Sequence, residues 1–373
     1  FILKDTAAAI LLTTTAMRAS LPDLADVTIV AVDDEPSSSD SDLDTSEPSE
    51  DQPACTNSSP LAYIMYTSGS TGLPKAVCLS HQAATQSLLA HDRFIPTFSR
   101  FLQFASPTFD VSVFEIFFPW FRGSTLVSVE RGRLLGDLPG TITALNIDAA
   151  ELTPSVAASL VRTRDNVPTL RTLLTIGEML NPQVIQQFGG SADKPGILYG
   201  MYGPTEAAIH CTLQPDFAAD LPAGTIGIPL ETVSCFIVKP AESNDRAGEI
   251  EILPIGEIGE LAVGGHQLAD GYLNREEQTR AAFITHPKFG KLYRTGDKAR
   301  LLRNGRLECH GRISSGQVKL RGQRVELGEI EHAASKANGC HAVVASVISG
   351  LLILFCIADA STVSPSEIKS ACQ

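Results

Sequence analysis

Positive charge is scarce in this sequence. Its 373 residues hold 29 Lys and Arg against 42 Asp and Glu, a formal net charge of −13. Such a surface repels nucleic-acid phosphates, which speaks against a nucleic-acid partner. The shortage is sharpest in residues 33–51, which contain no Lys or Arg and are nearly all Asp, Glu, Ser and Pro. A segment with so little apolar surface does not offset its ordering entropy, so residues 33–60 read as a solvated, disordered insertion. Paired cysteine motifs are also missing. The eight Cys (55, 78, 211, 235, 309, 340, 356 and 372) include no C-x-x-C pair. Zinc frameworks are thereby disfavoured, and free thiols in a reducing cytoplasm are expected. Neither an initiator Met nor a basic leader opens the chain, so no signal peptide is read. Residues 342–358 carry no charge and approach the lower length limit for a membrane span. A Ser349-Gly350 turn dipeptide splits them into two apolar runs, the first rich in Val, so a β-hairpin is expected and no membrane contact.

What the chain does have is enough apolar residue, 43% by count, for a sizeable core. Strand-like and helix-like segments alternate over residues 1–215. Strands are expected near 8–13 and 27–32 around a helix, a helix at 80–92, and a strand within 167–176. Residues 216–311 turn Gly-, Val- and Ile-rich and read as a β-rich subdomain. Residues 312–316 read as a joint, and residues 317–373 as a small α+β lobe with a helix near 327–338. No internal repeat is visible.

The most informative segment is Tyr66-Thr67-Ser68-Gly69-Ser70-Thr71-Gly72-Leu73-Pro74-Lys75. It follows the apolar run 61–65 and holds two Gly, four Ser or Thr and one Lys. Backbone N–H groups bared by Gly, hydroxyls and an ammonium suit a polyphosphate. A Walker A loop is excluded, because Leu73-Pro74 separates the second Gly from the Lys. A Ser/Thr/Gly surface turn is the plain alternative.

Further motifs follow in order: Phe109-Asp110-Val111-Ser112, Tyr202-Gly203-Pro204-Thr205-Glu206, and Gly259-Glu260-Leu261-Ala262-Val263-Gly264-Gly265 with Gly271-Tyr272-Leu273. After these come Tyr293-Arg294-Thr295-Gly296-Asp297, then Gln317-Val318-Lys319-Leu320-Arg321-Gly322 and Glu326-Leu327-Gly328-Glu329-Ile330-Glu331. Each alone is weak. As an ordered series the chain resembles the adenylation domains of nonribosomal peptide synthetases, within the adenylate-forming superfamily, from residue 1 to about residue 335. Ser314-Ser315-Gly316 and Ile176-Gly177-Glu178-Met179 look like the fungal synthetases of hydroxamate siderophores.

The resemblance implies the acyl-adenylate-forming fold: a core over residues 1–311, a hinge at 312–316 and a mobile lobe from 317. Both ends read as truncated, since the family continues past Gln373 through a loop with a catalytic Lys. It also implies ATP and Mg²⁺, an amino-acid substrate, and phosphopantetheine supplied by a peptidyl carrier domain beside condensation domains. Thr67, Ser68, Gly69, Ser70, Thr71, Gly72 and Lys75 would hold the β- and γ-phosphates, with Ala76 where the family usually has Gly. Thr205 would contact the α-phosphate and Glu206 the Mg²⁺. Tyr202 would pack on adenine, Asp297 would accept the ribose hydroxyls, and Arg312 would lie beside them. Gly316 would serve as the hinge.

Asp110 would meet the substrate ammonium, a role absent from acyl- and aryl-acid ligases; a helix N-cap is its competing role. The pocket wall would be Val111, Phe114, Glu151, Leu174, Ile176, Met201, Ile209 and His210. It is mostly apolar, and Glu151 with His210 suits a side chain carrying hydrogen-bonding groups, such as an N5-hydroxyornithine derivative. An acyl- or aryl-CoA ligase and a non-catalytic nucleotide-binding fragment are the competing readings.

Overall fold

The computed structural model describes residues 1–22, 24, 26–34, 60–68, 74–240, 250–313, 316–320, 323–336, 340–348, 351–358, 364–366 and 369. The chain forms two compact units, Phe1–Asn57 and Ser58–Gln373. In the first, strands Ile10–Thr13 and Thr28–Ala31 pair in parallel, with the short helix Thr15–Arg18 between them in sequence. The Thr14 hydroxyl caps that helix. Asp33 accepts from Thr15 N at 2.6 Å, so the first residue of the expected insertion is tied down. Residues 35–59 of it lie outside the described residues.

The second unit is built on a 12-stranded sheet. Its first half is parallel, in the order Thr125–Ser128, Arg100–Gln103, Ala149–Leu152, Thr172–Thr175 and Leu198–Tyr202. Strands Ala149–Leu152, Thr172–Thr175 and Leu198–Tyr202 are buried at every position and, Glu151 apart, carry no charged residue, as expected of parallel strands covered on both faces. The second half is antiparallel, in the order Thr212–Gln214, Thr225–Pro229, Leu307–Arg312, Gly290–Leu301, Ile258–Gly265 and Val233–Val238. Thr212 pairs with Tyr202, which joins the two halves. The α/β and β-rich regions expected from sequence are therefore halves of one mixed sheet. The strand expected within 167–176 is confined to Thr172–Thr175.

Two helices carry weight for the site. His81–Asp92 starts where Ser80 accepts from Ala83 N at 3.2 Å. Val111–Phe121 starts at Asp110, whose carboxylate accepts from Val111 N at 2.9 Å, and stops at Gly123 with φ +67°. Buried Glu115 of this helix accepts from Phe104 N and Ala105 N at 3.0 and 2.9 Å, which locks the helix to the end of strand Arg100–Gln103.

A smaller sheet orders Gly271–Tyr272, Lys75–Ser80 and Leu61–Thr67. Thr67 pairs with Lys75, so the strands before and after the Gly-rich segment are antiparallel partners, and Tyr272 pairs with Val77 on the far side. Beyond the large sheet, Gln317–Leu320 pairs with Gln323–Glu326, and the helix Leu327–Ser335 follows. The uncharged stretch is the expected hairpin, Cys340–Ile348 with Leu351–Ala358. Among the described residues no helix is long and apolar enough to cross a membrane. Among the six described cysteines no two form a disulfide with each other; Cys55 and Cys372 lie outside the described residues.

Candidate functional site

The site is organised by the reversal between Tyr202 and Cys211, where the sheet changes from parallel to antiparallel. Thr205–Ala207 forms one turn of 3-10 helix, and every residue from Glu206 to Cys211 is buried. Ala208 and Ile209 then take φ of +53° and +77°. A left-handed β-branched residue is strained and persists only where its surroundings over-determine it. Three side-chain bonds do so here. Ser87 Oγ donates to Ala208 O at 2.9 Å, while Gln267 Nε2 donates to His210 O at 2.7 Å and to Ala207 O at 3.3 Å. Gly203 is required as well, because a Cβ there would lie 2.1 Å from Ile209 O.

This turn fixes Thr205 and Glu206. Glu206 is fully buried, and its Oε1 accepts from the Tyr272 hydroxyl at 2.7 Å. Lys75 Nζ donates to the same hydroxyl oxygen at 3.4 Å and sits 4.5 Å from the ring centroid. Tyr272 thus links the expected metal carboxylate to Lys75, which follows the Gly-rich segment. Burial and the Glu206 charge both push the Tyr272 hydroxyl far up, so it stays neutral, donating to Glu206 and accepting from Lys75. On the other side, the Thr205 hydroxyl lies near the Asp110 carboxylate. Burial raises the Asp110 pKa; the Thr205 hydroxyl, neighbouring His210 and the Val111 N–H oppose the rise. Asp110 therefore caps its helix and also lies near Thr205 of the turn.

Tyr202, Asp297 and Arg312 meet along a cavity of about 480 Å³ that is also lined by Gly177, Gly200 and Val318. The Tyr202 hydroxyl donates to Asp297 Oδ2 at 2.6 Å. Arg312 Nη1 donates to Asp297 Oδ1 at 3.1 Å and to Thr295 O at 2.7 Å. Behind them, Glu260 accepts from Arg294 Nη2 at 2.5 Å and from Gly296 N at 3.0 Å, which shapes the turn before Asp297. The size and the carboxylate-lined wall suit a nucleoside.

The expected pocket wall behaves differently. Ile176 and Met201 border the cavity. Phe114, Leu174, Glu151, Ile209 and His210 are buried, and Val111 is half-buried. Glu151 and His210, expected to meet polar groups on a substrate, bond each other instead, Oε1 to Nε2 at 2.7 Å. Burial pushes the His210 imidazole down to about 3 and the Glu151 carboxyl well above its usual range. The strand runs two residues past the expected apolar run and ends at Thr67, Ser68 follows it, and Gly69, Ser70, Thr71 and Gly72 lie outside the described residues. Gly316 is described; its carbonyl accepts from Leu327 N at 2.8 Å, whereas the left-handed glycine before the joint is Gly311, φ +92°.

Sequence reasoning assigned no role to Tyr272 or Glu260, although both stand in quoted motifs, and it overlooked Ser87, His91 and Gln267. Only a contact map links those last three to the turn. Among the described residues no three His, Cys, Asp or Glu gather as a metal cage. Mg²⁺ needs none: it is commonly held by one or two carboxylates together with substrate phosphates, and Glu206 fits that donor set.

A family model described as "AMP-binding enzyme" matches residues 1–273. The chain is 56% identical over 369 residues to Nonribosomal peptide synthetase 2 of Gibberella zeae, covering 99% of this chain and 8% of that protein. It is 40% identical over 311 residues to the hydroxamate-type ferrichrome siderophore peptide synthetase of Schizosaccharomyces pombe, covering 80% of this chain and 6% of that one. The chain thus spans under a tenth of the length of these relatives. Among solved structures it is similar to a nonribosomal peptide synthetase protein containing adenylation and PCP domains, at TM-score 0.77 and 28% identity over 98% of this chain and 72% of that one. It is also similar to the Vibrio cholerae adenylation domain AlmE in complex with glycyl-adenosine-5'-phosphate, at TM-score 0.73 and 31% identity over 85% of this chain and 61% of that one.

Two variants test this geometry. Tyr272→Phe keeps the ring and removes the donor to buried Glu206. A hydrogen bond to a charged group contributes about 1.5–3 kcal/mol, so calorimetric titration should show MgATP binding weakened by about 10- to 100-fold. Unchanged affinity would show that Tyr272 does not hold Glu206 for the metal. Gly203→Ala drives a Cβ into Ile209 O and should lower stability in urea denaturation by at least ~2 kcal/mol. Stability within error of the parent would remove the claim that this close approach sets the turn.

Proposed function

This chain belongs to the family of AMP-binding enzymes, and we propose that within it the site activates an amino acid and passes it to a carrier thiol. A carboxylate oxygen of the amino acid attacks the α-phosphorus of ATP. The bond to the β,γ-bridged pyrophosphate breaks, pyrophosphate leaves, and an aminoacyl-AMP remains. The phosphopantetheine thiol of a peptidyl carrier domain then attacks the acyl carbon, a thioester forms, and AMP leaves with the proton lost to solvent. The work of the protein is positioning and charge placement rather than covalent catalysis.

One observation carries the amino-acid reading: the half-buried Asp110 carboxylate beside Thr205 and its hydroxyl. A carboxylate taken from water needs a cation, and a substrate ammonium supplies it. An acyl- or aryl-acid substrate brings no cation to this point, which disfavours the CoA-ligase alternative. Under this reading Thr205 contacts the α-phosphate and lies near Asp110, the ammonium anchor. Tyr202, Asp297 and Arg312 hold the nucleoside. Lys75 and the Gly-rich segment hold the outgoing phosphates. Glu206 holds Mg²⁺, which when bound neutralises phosphate charge. Gly316 is assigned the hinge that lets the lobe exchange between adenylation and thiol transfer. The fungal relatives and the adenylation–PCP structure support a place beside a carrier domain in a synthetase, including one that builds a hydroxamate siderophore; condensation domains beside it are part of the same proposal.

Asp110→Ala should abolish amino-acid-dependent pyrophosphate exchange and leave ATP binding intact. An unpaired ammonium in a dry site costs on the order of 3–5 kcal/mol. Exchange at the parent rate would confine Asp110 to capping its helix. Because the Asp110 pKa is raised, protonation begins above the ordinary carboxylate range. The KM for the amino acid should therefore climb as pH falls through that raised value, with the KM for ATP unaffected. A KM for the amino acid that stays flat on the acid side would separate Asp110 from the ammonium.

A further inference from the structure

The depth of the amino-acid site can be read from burial. Asp110 and Val111, at its ammonium end, are half-buried. Ile176 and Met201 keep only 7% and 6% of their surface and mark where the 480 Å³ cavity stops. Past them, Phe114, Leu174 and His210 have 0% exposure, and Glu151 has 2%. An empty pocket as large as one water would leave bare surface on the side chains around it. These side chains have none, so the space beyond Ile176 and Met201 is occupied by the protein.

What fills it is a packed aromatic and acid–imidazole block. The rings of His210 and Phe114 lie 4.9 Å apart at 89°, and His91 sits 4.9 Å from each of them. Phe118 stacks behind Phe114 at 4.5 Å. His91 is pinned from its own helix, its Nδ1 donating to Ser87 O at 2.5 Å. His210 is pinned through Glu151, and its backbone carbonyl through Gln267. Glu151 Oε2 and His210 Nδ1 have no hydrogen-bond partner among the described residues, and both are fully enclosed. A long side chain would have to break the Glu151–His210 bond and displace rings that are packed on all sides.

We propose that this block closes the side-chain pocket and that the amino acid activated here is a small one, namely glycine, alanine or serine. The proposal rests on the reading of Asp110 as the ammonium partner and deepens it. It replaces the N5-hydroxyornithine expectation, which required Glu151 and His210 to be available to a ligand. Phe114, His210 and His91 are specificity-determining residues under this reading, and His91 reaches the substrate only through the other two.

The test uses non-hydrolysable aminoacyl sulfamoyl-adenosine mimics titrated calorimetrically against this chain and against the full-length protein. The glycyl, alanyl or seryl mimic should bind at least ~100-fold more tightly than the leucyl, phenylalanyl or N5-hydroxyornithyl mimic, because packed sites discriminate by about 10- to 200-fold per methylene. A leucyl or N5-hydroxyornithyl mimic binding as tightly as the best small one overturns the small-substrate inference and leaves amino-acid activation standing. Failure of every aminoacyl mimic while ATP still binds overturns the amino-acid reading itself. Pyrophosphate exchange with the same six amino acids on the full-length protein should give the same ranking; a different ranking counts against the closed pocket.

Discussion

The strained reversal from Tyr202 to Cys211 is the constraint on which the site depends. The backbone there must leave a parallel strand, turn through two left-handed non-glycine residues and enter an antiparallel strand. Each left-handed residue costs free energy of order 1–3 kcal/mol, and that cost is met by bonds from Ser87 and Gln267 and by the missing Cβ of Gly203. Because the path is over-determined, Tyr202, Thr205, Glu206 and His210 leave it in fixed directions. One turn thereby reaches the cavity beside Asp297, the Lys75–Tyr272 pair and the buried Glu151–His210 pair.

The place of that turn in the sheet is not incidental. Open α/β sheets bind ligands outside the carboxyl ends of their parallel strands. Here the last parallel strand ends in Tyr202, and the strand beside it ends in Thr175 just before Ile176 and Gly177 of the cavity. The antiparallel half then supplies Asp297 and Arg312 from two neighbouring strands, in register with each other. The continuity of the 12 strands holds the two walls of the cavity at a fixed separation.

Four acidic side chains in the site are kept distinct by their partners. Asp297 is gripped by Tyr202 and Arg312, Glu206 by Tyr272, Asp110 by the Val111 N–H, and Glu151 by His210. Only the last pair combines a lowered imidazole with a raised carboxyl, which marks it as desolvated packing rather than a charged anchor. In a chain with a net charge of −13, these partners and Lys75 set the local balance of charge around the turn.

Much of this was legible in the amino-acid order. Gly and hydroxyl residues before Lys75 marked a loop, Gly203-Pro204 marked a rigid turn, the change from helical to strand-like patterning near residue 216 marked the second half of the sheet, and Ser349-Gly350 marked a hairpin. These signals are local, because turn chemistry and periodicity depend on neighbours in sequence. Tertiary structure alone decided the rest. Tyr272 acquires its role because strand Lys75–Ser80 pairs with both Gly271–Tyr272 and Leu61–Thr67, a register between segments almost 200 residues apart. His91 and Ser87 matter because one helix packs beside the turn. Glu151 and His210 looked available as single polar residues on an apolar wall. Whether they face a ligand or each other depends on a distance between residues far apart in the chain, and that distance is set by packing, not by residue type.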